Sequence, residues 1–110
     1  MEKKIGKIIK ARFGFGGYQG AMIGVSFELG SDKENWGVGD FKGYWSLERS
    51  NGAKWTEQDR ITSLGETVMY VAKLLEDAKV SDISKLEGKP VECTFDCMKL
   101  KSWRLLTEAI

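Results

Sequence analysis

The chain is predicted to fold as an α+β domain, an antiparallel sheet in the order β-β-β-α-β-β with one amphipathic helix packed on one face. Three observations carry this prediction. Stretches near both ends alternate apolar and polar residues with a period of two, the pattern of half-buried strands. One central stretch, roughly 57–79, repeats its apolar residues at three- and four-residue spacing behind a capping residue, the pattern of a helix. The segments between them are rich in Gly, Ser, Asp and Asn, the residues of turns.

In chain order, Ile5, Lys7, Ile9, Ala11, Phe13 and Phe15 share one side of an extended chain. Lys4, Gly6, Ile8, Lys10, Arg12 and Gly14 share the other, which predicts β1 over residues 4–13. A glycine loop follows at residues 14–20. Ala21, Ile23, Val25, Phe27 and Leu29 then alternate with Met22, Gly24, Ser26 and Glu28 to give β2 over 21–29, the best specified strand. Polar residues 30–35 turn the chain into β3, Trp36 to about Trp45, so that β2 and β3 form a hairpin. Residues 46–55 lose all periodicity and read as a connection.

Thr56 is a good N-cap, with Asp59 three residues on as a capping-box partner and Glu57 adding negative charge to the first turn. Ile61, Leu64, Val68, Val71, Leu75 and Ala78 then form one expected apolar stripe. Gly65 within it costs ~1 kcal/mol relative to alanine and is expected to mark close packing against a neighbour. Residues 81–86 can form a helical turn. Pro90, which cannot donate to a ladder, suits the start of β4, where Val91, Cys93 and Phe95 alternate with Glu92 and Thr94. Asp96 to Lys99 reads as a turn, and β5 returns over 100–107 with the option of a C-terminal helical turn.

Composition narrows the function classes. A chain of 110 residues and 12.3 kDa is expected to be one domain, 1–110, with a modest core that needs neither metal nor disulfide. Seventeen Lys+Arg against sixteen Asp+Glu, mixed along the chain, disfavour duplex nucleic acid as a partner. Lys3, Lys4, Lys7, Lys10 and Arg12 are expected to be a solvated strand edge that guards against pairing. No continuous apolar segment suggests a signal peptide or a membrane, so the expected location is cytoplasmic. With no His and only Cys93 and Cys97, a tetrahedral zinc site and the histidine-based nucleophile arrangements are disfavoured, and no cofactor or metal is expected.

The candidate site is the stretch from Phe13 to Trp45, where glycine and aromatic residues interleave. In Trp36-Gly37-Val38-Gly39 one side of the strand carries large groups and the other is bare backbone, which suits close approach of another backbone or a ligand. Gly14-x-Gly16-Gly17 forms a turn, flanked by Arg12 and Tyr18, that offers backbone N–H groups to an anion, although no helix start follows it as in phosphate-binding loops; Arg12, Gly16, Gly17, Tyr18 and Gln19 are ligand-binding candidates here, with Trp36, Gly37 and Gly39. Asp40, Lys42 and Arg104 complete the ligand-binding candidates, with Trp103 expected in the core. Glu28 with Asp40 is a weak metal pair. Cys97 is expected to be exposed.

The strings Gly16-Gly17-Tyr18-Gln19, Ala21-Met22-Ile23-Gly24, Trp36-Gly37-Val38-Gly39-Asp40-Phe41, Gly88-Lys89-Pro90-Val91-Glu92 and Leu100 to Glu108 resemble a family of small uncharacterised proteins from phages and prophages. The resemblance spans nearly the whole chain and brings no catalytic residue with it. Where Asp96-Cys97 stands here, the resembling proteins tend to carry Asp-Gly. It implies a bacterial host and a role against host defence. The leading expectation is therefore a non-catalytic, homo-oligomeric binding protein that sequesters a small nucleotide-type signal at the glycine and aromatic surface. The alternatives are an inhibitor that binds a host defence protein through the same face and, last, a metal-dependent nucleotide hydrolase using Asp40 and Glu28.

Overall fold

The computed structural model describes residues 1–46 and 54–110. Its strands are β1 (Glu2–Gly16), β2 (Met22–Ser31), β3 (Trp36–Trp45), β4 (Pro90–Asp96) and β5 (Lys99–Leu105), with one helix, α1 (Glu57–Ala78), between β3 and β4. The strands form one antiparallel sheet in the order β3-β2-β1-β4-β5. The α+β class and element order follow the sequence pattern. Most of the expected 46–55 connection, residues 47–53, lies outside the described residues. Among the described residues no helix is long and apolar enough to cross a membrane.

β1 is the central strand, and its two halves serve different partners. Lys7 to Gly16 pair with β2, whereas Glu2 to Lys7 pair with β4 on the other edge. A register shift between Ile8 and Lys10 marks a bulge at Ile9. A bulge puts two residues opposite one, so alternation reverses across it. The inner face, the one α1 covers, therefore takes Gly6 and Ile8 before the bulge and Ala11, Phe13 and Phe15 after it. The single alternation expected along β1 is corrected accordingly: Ile8 is fully buried, while Ile5 and Ile9 face solvent.

The β2–β3 hairpin forms as expected, and its register sets Leu29 opposite Val38 and Phe27 opposite Asp40. Asn35, at φ 57, supplies the left-handed residue its turn needs. Val25, Phe27 and Leu29 join Ile8, Ala11, Val91, Cys93, Phe95 and Leu105 in one core, closed by Leu74 and Ala78 of α1 and by Leu86. Leu86 ends a 3-10 turn, Ile83–Leu86, that Asp82 caps by accepting from the Ser84 N–H. Another 3-10 turn, Thr107–Ala109, replaces the last residues expected in β5.

The helix begins as its sequence dictates: the Thr56 hydroxyl accepts from the Asp59 N–H at 3.0 Å, and Asp59 accepts from the Thr56 N–H at 2.8 Å. It ends at Lys79, whose φ of 59 breaks the helical run. The predicted stripe is buried only towards its C-terminal end, where Val71 and Leu75 pack against the core and Ala78 is enclosed. Thr67, Leu74 and Ala78 are the buried positions, with Thr67 donating its hydroxyl to the Ser63 carbonyl at 2.9 Å. Ile61 and Val68 are 60% and 59% exposed. Gly65 also lies on that exposed side, and a Cβ there would meet nothing within 4 Å, so close packing within the chain does not explain it.

Candidate functional site

The glycines of the Phe13–Trp45 stretch divide into two kinds. Gly24 lies opposite Gly43, and Gly30 opposite Gly37, on the outer face away from α1. A Cβ on Gly24 would run into the Lys42 carbonyl, one on Gly43 into the Ile23 carbonyl and one on Gly30 into the Trp36 carbonyl. These three let the hairpin's strands approach more closely than side chains permit. Gly37 and Gly39 are exposed, with nothing nearer a Cβ than 3.7 Å and 3.8 Å respectively. The bare surface expected beside Trp36 is therefore open. It forms a shallow cleft of about 380 Å³ with Ile9 and Glu28 at its sides.

Gly16, Gly17, Tyr18 and Gln19 lie at the far end of β1. Gly17 takes φ 67 and packs its bare Cα against Met22, and Gln19 takes φ 53, so the chain turns here through left-handed conformations. Tyr18 projects 67% exposed and meets Trp45 edge-on at 6.3 Å between ring centroids. Arg12 donates both terminal nitrogens to the Phe15 carbonyl, at 3.2 Å and 3.1 Å. This end of the strand thus carries the Arg12 cation, the exposed Tyr18 ring and a turn through left-handed residues.

Trp36 belongs elsewhere. At ~3.3 Å per strand residue it stands about 30 Å from Trp45, too far to share a small ligand with Tyr18. Its ring covers Gly6, packs edge-on against Phe95 at 5.6 Å and lies beneath the Lys4 ammonium at 5.8 Å. Its indole N–H is buried and has no acceptor among the described residues. With Glu2, Lys4, Val38, Phe95 and Met98 it lines a second cleft of about 320 Å³.

Asp40 faces the core. Its carboxylate accepts from the Trp103 indole N–H at 2.7 Å, a bond from β5, at one margin of the sheet, to β3 at the other. The Trp103 ring also packs edge-on against Phe27 at 5.0 Å between centroids. The sheet is therefore curled until its first and last strands meet over the inner face. Burial, with the Asp40 charge behind it, pushes the Tyr70 hydroxyl up to about 12 and the Cys93 thiol up to about 11. Glu28, next to Phe27, points to the outer face, so the sheet itself separates it from Asp40.

Lys42 holds its ammonium over the Tyr70 ring at 5.5 Å. Arg104, on the outer face of β5, pairs with Glu108 at 3.1 Å and with Glu92 at 3.3 Å. The eleven candidates thus fall in four places: the tip with Arg12, Gly16, Gly17, Tyr18 and Gln19; the open cleft with Gly37 and Gly39; the inner face with Trp36, Asp40 and Lys42; and Arg104 alone on β5.

Sequence reasoning missed the apolar groups left in solvent. Phe13 is 51% and Phe15 is 62% exposed, and α1 adds Met69 beside Ile61 and Val68. The signal for the phenylalanines was present in the alternation, but alternation does not say whether the face it defines is covered. Comparison with protein-family models, with curated proteins and with solved structures finds no match to this chain.

Proposed function

We propose that the chain is a non-catalytic binding protein that works as a homo-oligomer and takes a small, planar, anionic ligand of nucleotide type at the β1–β2 tip. The observation that carries the proposal is Tyr18, a ring two-thirds exposed and braced edge-on by Trp45. Such a ring offers a stacking face to a base. Arg12 and the Gly17–Gln19 backbone beyond the end of β1 supply a cation and N–H groups suited to phosphate oxygens. The shallow clefts of 320–390 Å³ found among the described residues are at the small end for ligand sites and lie away from the tip, so a second subunit is needed to enclose the ligand. In a phage setting, the one the sequence resemblance implies, such a protein would remove a signal on which a host defence depends.

Native mass spectrometry of the purified protein with cyclic nucleotides and ADP-ribose derivatives tests this reading. Discrete ligand masses added to an oligomer, and lost in a folded Tyr18→Ala variant, support it. Uptake unaffected by Tyr18→Ala refutes the tip as the site. The second reading, an inhibitor that caps a host protein, is favoured by the exposed apolar groups that stacking does not need, Phe13 and Phe15 on β1 and Ile61, Val68 and Met69 on α1. It predicts a stable protein complex and no ligand mass.

A further inference from the structure

We infer that two copies of this chain join along the open edge of β1, from Ala11 to Phe15, as an antiparallel pair centred on a two-fold axis at Phe13. The inference rests on the homo-oligomer reading above and adds the seam to it. β4 leaves β1 at Lys7, and the turn before β4 holds the same edge as far as Ala11, through Gly88 N–H to the Ile8 carbonyl at 2.7 Å and Ala11 N–H to Glu87 Oε2 at 3.3 Å. At the other end the chain turns away at Gly17. Among the described residues no strand pairs with the edge between these points. Of the alternate residues Ala11, Phe13 and Phe15 in this window, Phe13 is the middle one.

Backbone direction fits the same axis. In an antiparallel ladder successive residues turn their N–H and C=O groups alternately to the two edges. Ala11 N–H points to the open edge, since it meets Glu87, so Phe13 and Phe15 point there too. The Phe15 carbonyl is bonded there by Arg12, within its own strand. About a two-fold at Phe13, Phe13 N–H meets the Phe13 carbonyl of the other copy, and Ala11 N–H meets the Phe15 carbonyl of the other copy. The two groups that a lone chain satisfies with its own Glu87 and Arg12 side chains are thus the two that bond each other across this axis. Both side chains are flexible stand-ins for a missing strand.

Side chains agree with that register and disfavour others. Arg12 falls opposite Gly14 of the second copy and Lys10 opposite Gly16, so each base faces a glycine and no like charges oppose. Phe15 falls opposite the small Ala11, and the two Phe13 rings lie side by side, which covers the half-exposed phenylalanines of both copies. Of the basic residues expected at a strand edge, Lys3, Lys4 and Lys7 stand where β1 pairs with β4, and only Lys10 and Arg12 guard the open stretch, against registers that set base against base. The contact is isologous and closes on itself, as a two-fold dimer requires.

Sedimentation velocity over a concentration range tests the seam. The wild-type chain is expected to dimerise. Phe13→Pro removes an N–H that points off the sheet, a site where an edge strand tolerates proline, and is expected to leave a monomer. A side chain at Gly14 meets only the mobile end of Arg12, so variants there fold irrespective of Phe13→Pro. Gly14→Lys, facing Arg12 of the other copy, is expected to weaken association by tenfold or more, and Gly14→Glu to leave it equal or tighter. Equal weakening by both Gly14 variants overturns the register. A dimer indifferent to Phe13→Pro and Gly14→Lys but broken by Val68→Glu overturns the seam and leaves the oligomer reading intact. A wild-type monomer at all concentrations overturns both.

Discussion

Trp103→Phe tests the bond that draws the sheet's margins together. Its indole N–H donates to Asp40 at 2.7 Å in a half-buried setting. A hydrogen bond to a charged acceptor contributes about 1.5–3 kcal/mol, and its loss here also leaves a carboxylate against the core without that donor. Phenylalanine keeps an aromatic ring against Phe27 but a smaller one, so a total cost of about 3 kcal/mol is expected. Against a domain stability of roughly 5–15 kcal/mol this is a large loss. Urea unfolding followed by circular dichroism reads it: at a slope of about 1–3 kcal/mol/M the midpoint falls by about 1–3 M. The double-mutant cycle with Asp40→Ala isolates the pair and should give a coupling of about 1.5–3 kcal/mol. Trp36→Phe is the control, because the N–H it removes has no acceptor. A cycle additive to within about 0.5 kcal/mol, with Trp103→Phe costing no more than Trp36→Phe, would refute the bond as a fastener of the sheet.

The two kinds of glycine respond oppositely to alanine. Gly24→Ala and Gly43→Ala force a methyl into the opposing strand's backbone and should each cost about 1–3 kcal/mol or prevent folding, whereas Gly65→Ala should raise helix stability by about 1 kcal/mol, both read as thermal midpoints. A disulfide reagent should modify exposed Cys97 at once in the native protein and Cys93 only at the rate of unfolding, since Cys93 is fully enclosed and its thiol is pushed up to about 11; two fast thiols would contradict the packing. Tyr70 ionises at about 12 when folded and near its ordinary 10 when unfolded, so the folded state holds the proton more tightly. Its contribution is complete below pH ~10 and is lost as pH rises towards 12, and Asp40→Asn should move its ultraviolet titration down.

Much of the fold was legible because it rests on local signals. The β2–β3 hairpin came from clean alternation around a polar turn, the helix start from Thr56 and Asp59, and the β4 start from Pro90. What escaped was set by geometry that alternation does not encode. The bulge at Ile9 reverses inside and outside along β1, and no glycine or proline marks it. The helix stripe held at Val71, Leu75 and Ala78 and failed at Ile61 and Val68, because spacing describes an apolar arc without saying which part the sheet covers: Thr67, a polar residue, is buried while Val68 beside it is not. The candidate site was legible as a composition but not as a place. Trp36 and Tyr18 share a glycine-aromatic style and stand at opposite ends of the hairpin, and Asp40, read among ligand contacts, is engaged by Trp103, sixty-three residues later in the chain.

The placement of Phe13 and Phe15 is hard to derive from the stability of one chain. Covering a phenylalanine contributes about 1.5–3 kcal/mol, and here two stand more than half exposed on a strand whose edge is also open. The bulge is what puts them there. Continued alternation from Ile8 would have turned Lys10 and Arg12 inward and the phenylalanines outward; the extra residue at Ile9 turns the bases out and the rings to the side of the core, beyond the reach of the helix. Had the chain only to hide those rings, a longer β4 pairing past Lys7 would do so and would fill the ladder as well. Instead β4 stops, and Glu87 and Arg12 satisfy the groups it leaves behind with side chains that can be withdrawn. An edge that is apolar, centred on itself and held by reversible caps is a strand awaiting another strand, and its own sequence is the complement nearest to hand.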